Sequence, residues 1–269
     1  GQNEQEAEDG VKEIMLDKKF GASGNRVVVE EFLTGPEVSV LSFCDGKTVV
    51  PMVSSMDHKR ALDGDEGLNT GGMGTVAPNP YYTPEVAAVC METIFAPTVA
   101  AMQAEGCPFR GCLYFGLMIT PDGPKVIEYN CRFGDPEAQV VLPLLESDLL
   151  TVMQATTNGT LAETEVKFRS GAAACVILAS GGYPVAYEKG KEITGLQQGQ
   201  LPDAPDVTVY HAGTALKDGK LVTSGGRVLG VTATGDTLPQ ALVTAYGAAR
   251  RLRFEGAHMR SDIGRRALA

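Results

Sequence analysis

The pattern of apolar and polar positions changes character several times along the chain. Residues 11–18 (VKEIMLDK) carry the spacing of the last turns of an amphipathic helix, and the glycines at 21 and 24 end it. Three runs with strand character follow: RVVVEEF at 26–32, EVSVLSF at 37–43 and KTVVPMV at 47–53. Asp45-Gly46 between the last two predicts a hairpin turn. Residues 54–80 lose this periodicity and are rich in Gly, Asn, Asp and charge, which predicts a long loop, either functional or poorly ordered. A helix is expected over 84–104, kinked or broken near Pro97.

Strand patterning returns at 111–120 and 124–130, joined across Pro121-Asp122-Gly123 as a second hairpin. A glycine-containing loop, CRFGDPEAQ at 131–139, and a helix over 147–157 come next. The polar stretch from Asn158 to Ser170 reads as a boundary. Beyond it, strands are expected at 172–179, 207–216, 220–224 and 227–234, the middle pair turning at Asp218-Gly219. A last helix over 237–252 has Asp236 as its expected N-cap. The fold class is α+β in two units, 1–166 and 167–269.

Composition narrows the functional classes. The 269 residues include 23 Lys+Arg against 33 Asp+Glu, a net charge of −10 with a pI near 4.9. That balance argues against a whole-domain footprint for nucleic acid. With 43% hydrophobic and 21% charged residues the chain can bury a core and is not compositionally disordered. No apolar run is read as approaching the roughly 20 residues of a membrane span, so neither nucleic acid nor membrane is expected as a partner. Six cysteines without a CxxC pair are expected to be reduced thiols of a cytoplasmic protein. The polar, acidic N-terminus has no apolar leader core, and its start at Gly1 is read as that of a piece of something longer.

Three constellations could carry chemistry. In VIEYN, Glu128 and Asn130 are two apart and project from one face of a strand. A carboxylate and an amide oxygen suit Mg²⁺, which takes one or two carboxylates plus substrate phosphates. Spacing alone favours the polar side of a half-exposed strand, but Arg132 follows, Gly134 frees the backbone, and Arg clamps phosphate bidentately. In DHKR (57–60) and NTGGMG (69–74), glycines let backbone amides approach a phosphate while Lys59 and Arg60 supply charge; a glycine loop without a ligand is the alternative. In VVVEEFLTGPEVSV, Glu30, Glu31 and Glu37 flank a linker of the kind that holds adenine by its backbone, or else form a hairpin with solvated carboxylates.

In order along the chain, VVVEEFLTGPEVSV, DHKR, NTGGMG, LYFGLMIT, KVIEYNCRFGDPEAQ, SGGYP (180–184), HAGTALKDGK (211–220), SGGRVLGVTA (224–233) and SDIGRRAL (261–268) resemble the ATP-grasp enzymes, and more closely the phosphoribosylamine–glycine ligase family. KVIEYNCRFGDPEAQ with NTGGMG is the most specific part. The resemblance implies the C-terminal part of an ATP-grasp domain, an antiparallel sheet with helices, over 1–166, followed by a small α+β C-terminal domain over 167–269. It implies ATP-dependent joining of 5-phosphoribosylamine to glycine through a glycyl phosphate, with Mg²⁺ or Mn²⁺, small-molecule partners only, and a monomer.

Carried over by position, Glu30, Glu31, Phe32, Leu33 and Glu37 would meet ATP, with the Phe32–Leu33 backbone at adenine and Glu37 at the ribose. Glu128 and Asn130 would hold the metal, and Arg132 would sit by the transferring phosphoryl group. Asp57, His58, Lys59, Arg60, Asn69, Thr70, Gly71, Gly72, Gly74, Asp135 and Glu137 would hold glycine and the phosphoribosyl group. The resemblance covers roughly the C-terminal three-fifths of such an enzyme, without its Rossmann-like domain or its phosphate-covering flap. The isolated chain is therefore expected to be a poor enzyme with residues 54–80 poorly ordered. Another purine-pathway ATP-grasp ligase and a non-catalytic nucleotide-binding module are the competing readings.

Overall fold

The structure is a computed structural model and describes residues 3–269. The chain forms two compact units, residues 1–34 and 35–269.

In the first unit a helix, α1 (Glu4–Met15), begins where the Asn3 side chain accepts the Glu6 N–H at 2.9 Å. Glu4 and Glu6 in its first turn and Lys12 in its last complement the helix dipole. Its last turns fall within the expected 11–18, ending at Met15. A 3₁₀ turn at Gly21–Asn25 follows, and a side chain on Gly24 would collide with the Ile14 carbonyl. Residues 26–34 form no strand, which corrects the reading of RVVVEEF. Val28 and Val29 are more than four-fifths exposed. The alternation is present, but among the described residues no second strand takes up its N–H and C=O groups.

The second unit contains β1 (Glu37–Asp45), β2 (Val49–Pro51), β3 (Met56–Asp57), β4 (Arg60–Leu62), β5 (Glu66–Asn69) and β6 (Gly74–Ala77). The helix α2 (Pro84–Ala104), strands β7 (Arg110–Thr120) and β8 (Gly123–Asn130), and helices α3 (Ala138–Val141) and α4 (Leu149–Asn158) follow. The remaining elements are β9 (Ala172–Ser180), β10 (Val207–His211), β11 (Thr214–Lys217), β12 (Lys220–Thr223), β13 (Arg227–Gly235), α5 (Leu238–Ala249) and β14 (Ala257–His258).

An antiparallel sheet in the order β2-β1-β7-β8 carries α2 on one face. Val38, Val40, Phe115 and Leu117 pack there with Cys90, Ile94, Phe95 and Val99 of α2. Pro97 does not break α2, because a π-turn at Met91–Phe95 absorbs the hydrogen bond the proline cannot make. At 21 residues, α2 is long and apolar enough by length and composition to cross a membrane, which corrects the expectation that no run approaches that length.

On the other face, Leu41, Phe43 and Tyr114 share a core with Val140 and Val141 of α3, Val152 and Ala155 of α4, and Ala173, Cys175 and Ile177 of β9. β9 is buried at every residue and anchors a second antiparallel sheet, β10-β13-β9-β6-β3, with β14 also paired to β9. The opposite face of β9 (Ala174, Val176, Leu178) packs on Ala241, Leu242 and Ala245 of α5. The cap of α5 is Thr237, whose exchange of hydrogen bonds with Gln240 forms a capping box, rather than Asp236.

The 54–80 segment is ordered, against expectation. Gly74–Ala77 pair with 173–176 of β9, and Met73, Val76 and Ala77 are buried. The expected units 1–166 and 167–269 thus contribute strands to one sheet. The expected strand 207–216 is split, since the backbones of Gly213 and Gly225 meet with no room for a Cβ and turn β11 away to pair only with β12. The six cysteines are free thiols.

Candidate functional site

Strand β8 sets one wall of the site. Its bulge opposite Gly116 and Leu117 projects Glu128 over Gly116, where a Cβ would come within 2.9 Å of the Glu128 Cγ. Glycine therefore makes room for that carboxylate. Two residues on, Asn130 pairs across to Tyr114 of β7. Past the strand end, Arg132 donates to the Phe133 carbonyl at 3.0 Å. Gly134 leaves space for the Glu137 carboxylate, which a Cβ there would meet at 2.4 Å.

The facing wall comes from β3 and the turn before β6. Together the walls enclose a pocket of about 160 Å³ lined by Asp57, Lys59, Thr70, Gly71, Tyr114, Glu128, Asn130, Arg132, Asp135 and Glu137. Nine of these ten residues were singled out from sequence; Tyr114 was not. Its hydroxyl donates to Glu137 Oε1 at 3.0 Å and lies 2.7 Å from Ser39 Oγ. Glu37 stands beside the pocket through an ion pair with Lys59 at 2.9 Å.

The electrostatics are those of an acid-rich pocket with cations in its wall. Burial, and then the neighbouring Glu137 charge, push Asp57 up to about 8. Glu137 is likewise raised, mainly by burial. Burial pulls Lys59 down, but the Glu37 partner more than offsets it and holds the ammonium charged. Such a pocket favours a ligand that brings positive charge to Asp57 and Glu137 and negative charge to Lys59 and Arg132. Glu128 and Asn130 bring a carboxylate and an amide oxygen to the same wall. Among the described residues no group of three or more His, Cys, Asp or Glu side chains is placed to hold a metal ion by itself. The pair therefore fits an ion that also takes ligands from a substrate.

Several residues singled out from sequence lie outside the pocket wall. His58 is 1% exposed; its Nδ1 lies 3.1 Å from the Gly74 carbonyl and its Nε2 accepts the Gly264 N–H at 3.1 Å. Burial, helped by Arg260, holds its imidazole down to about 4, so it is a neutral brace. Arg60 donates to the Gly67 carbonyl at 2.7 Å, and Asn69 pairs with Arg60 across β4 and β5. Gly72 and Gly74 serve close packing: a Cβ on Gly72 would meet Pro136 at 2.5 Å and Asp57 Oδ1 at 2.6 Å, and one on Gly74 the Cys175 carbonyl at 2.7 Å.

The amides of the glycine loop are spoken for within the protein. Thr70 N–H donates to the Lys59 carbonyl, Gly71 N–H to Tyr183 Oη, Gly72 N–H to Thr70 Oγ1 and Met73 N–H to the His58 carbonyl. With these four amides taken, the loop faces the pocket through Thr70 and Gly71. The Asp135 carboxylate is paired with Arg227 at 2.9 Å. Glu30, Glu31 and Phe32 lie on exposed chain in the first unit, with Leu33 half-buried. Arg227 and Tyr183 were missed as site residues, although SGGRVLGVTA and SGGYP, which contain them, were singled out.

Two family models match: "Phosphoribosylglycinamide synthetase, ATP-grasp (A) domain" over residues 1–138, and "Phosphoribosylglycinamide synthetase, C domain" over 173–266. The chain is 51% identical over 251 residues to the phosphoribosylamine–glycine ligase of Synechocystis, which covers 93% of this chain and 59% of the ligase. It is 52% identical over 268 residues to the trifunctional purine biosynthetic protein adenosine-3 of Gallus gallus, covering 99% of this chain and 26% of that protein. The crystal structure of the Thermotoga maritima phosphoribosylamine–glycine ligase superposes with a TM-score of 0.78 at 40% identity, over 87% of this chain and 57% of that one. A biotin carboxylase domain from Hydrogenobacter thermophilus shares the fold at 12% identity, with a TM-score of 0.67 over 96% of this chain and 54% of that one. The chain thus spans about three-fifths of the length of the ligases it matches. On both family models, the chain belongs to the phosphoribosylglycinamide synthetase family and has its ATP-grasp fold.

Proposed function

We propose that this chain supplies the ATP-grasp core and C-terminal part of a ligase that joins 5-phosphoribosylamine to glycine, converting ATP to ADP and phosphate. The observation that carries the reading is the single pocket in which Glu128, Asn130 and Arg132 meet Asp57, Lys59 and Glu137. A phosphoryl acceptor, a metal-bridged phosphate and an amine each find groups of suitable charge within it.

In this reading the γ-phosphoryl group passes from ATP to the glycine carboxylate, giving glycyl phosphate and ADP. The amine of phosphoribosylamine then attacks the acyl carbon, phosphate leaves, and the nitrogen sheds a proton. Arg132 and Lys59 offset the charge on the transferring group, and catalysis is mostly positioning and electrostatics. Asp57 and Glu137 hold an ammonium or amine, whose positive charge favours ionisation of the pair, and the ionised member accepts the proton released. Glu128 and Asn130 would hold Mg²⁺ or Mn²⁺, which would supply charge neutralisation between phosphate oxygens.

Glu30, Glu31, the Phe32–Leu33 backbone and Glu37 are assigned to ATP. Thr70, Gly71 and Asp135 are assigned to the substrate wall. His58, Arg60, Asn69, Gly72 and Gly74 are assigned to its support. The divisions 1–166 and 167–269 would correspond to the ATP-grasp and C-terminal parts of a monomer acting on small molecules in the cytoplasm. The test joins this chain to the N-terminal region of the Synechocystis ligase and follows glycinamide ribonucleotide formation. Turnover requiring ATP, glycine and a divalent ion is expected; nucleotide binding without product would contradict the ligase reading and favour a binding module.

A further inference from the structure

We infer that Arg227, from the C-terminal part of the chain, is a positioning residue that sets the gap between the two loops facing the pocket, 69–74 and 131–137. The inference rests on the ligase reading for what the gap holds, but not for the clamp itself. Arg227 opens β13, and its side chain is 17% exposed. Nη1 donates to the Gly71 carbonyl at 2.8 Å, to the Gly72 carbonyl at 3.4 Å and to the Asp135 carbonyl at 2.7 Å. Nη2 donates to Asp135 Oδ2 at 2.9 Å. One planar group thus holds backbone of both loops, and its fork carries donors in two directions that a lysine ammonium cannot reproduce.

Two further contacts make the clamp specific. A Cβ on Gly71 would come within 3.0 Å of the Arg227 Cζ, so glycine lets the guanidinium lie against the loop. The Gly71 N–H is taken by Tyr183 Oη at 3.1 Å, so side chains from the C-terminal part hold both polar backbone groups of that residue. Where the loops touch, Gly72 abuts Pro136 and Asp57. Holding that contact closed keeps Asp57 and Glu137 in one pocket.

Hydrogen–deuterium exchange on the 269-residue chain tests the clamp without any assay of activity. In Arg227→Met, exchange at Thr70–Met73 and at Gly134–Ala138 is expected to rise together by tenfold or more, while β1 and β9 stay protected. A change in one loop only, in neither, or equally throughout the sheets would overturn the inference. If Arg227→Met does not fold, Arg227→Lys decides: loosening of both loops would support the inference, and both loops as protected as in the parent, or one loop loosened alone, would overturn it. In the joined ligase, Arg227→Met is expected to raise the KM for glycine more than tenfold while kcat falls less. Loosened loops in a protein without ligase turnover would leave the clamp standing and remove only the ligase reading.

Discussion

The Tyr114 hydroxyl donates to Glu137 Oε1 at 3.0 Å while lying 2.7 Å from Ser39 Oγ, so a carboxylate only 5% exposed is held by a hydroxyl that is itself buried. Burial and the facing carboxylate push the Tyr114 phenol well above its ordinary range, which keeps it a donor at any working pH. Tyr114→Phe removes that donor and leaves Glu137 buried with one partner fewer. Stability is expected to fall by about 1–3 kcal/mol, read from urea unfolding. An unchanged midpoint would mean that the hydrogen bond contributes nothing.

Asp57 gives the chain an alkaline weakness. Its folded value, about 8, lies above the ordinary 3.8, because burial and Glu137 disfavour its charge. The folded state therefore keeps a proton that the unfolded chain releases. The stability from this group is full below about pH 4 and is lost as pH rises through about 8. Glu137, also raised, acts in the same direction. Asp57→Asn cannot ionise, so its stability relative to the parent should improve between pH 4 and pH 9 by about 1 kcal/mol or more. Thermal melts at the two pH values check this; a difference independent of pH would contradict the assignment.

Gly116 tests the placement of Glu128 without touching Glu128. Gly116→Ala puts a methyl group 2.9 Å from the Glu128 Cγ on a backbone that any residue can adopt. The strand should persist, with loss of stability within about 1–2 kcal/mol, while the carboxylate is displaced. Divalent-ion-dependent turnover of the joined ligase should drop at least tenfold while the protein remains folded at the assay temperature. Parental turnover would show that Glu128 has room to spare.

The elements legible from sequence are those whose partners are near in the chain or whose burial is complete. β7 and β8 announce themselves through the Pro121-Asp122-Gly123 turn, and β9 through an unbroken apolar run. The 54–80 segment was illegible because β6 finds its partner about a hundred residues later, which no local period records. RVVVEEF misled in the opposite direction: the alternation is there, but a strand also needs a neighbour.

At the site, Glu128, Asn130 and Arg132 line one pocket, as a two-residue spacing along one strand face allows. Arg227 was not legible from sequence, since three of its four acceptor atoms are backbone carbonyls that leave no trace in side-chain pattern. The glycines of NTGGMG suggest amides freed for an anion; the close approach of Arg227 to Gly71, and of Pro136 and Asp57 to Gly72, leaves no such local signal.

The measurement that bears most directly on the account is Glu128→Gln in the joined ligase, assayed beside its parent for glycinamide ribonucleotide formed per ATP consumed. The substitution keeps shape and removes the one carboxylate assigned to the divalent ion. The account predicts a loss of turnover of about 10²-fold or more, with an unchanged unfolding midpoint. Turnover at the parental rate with the same metal dependence would contradict it.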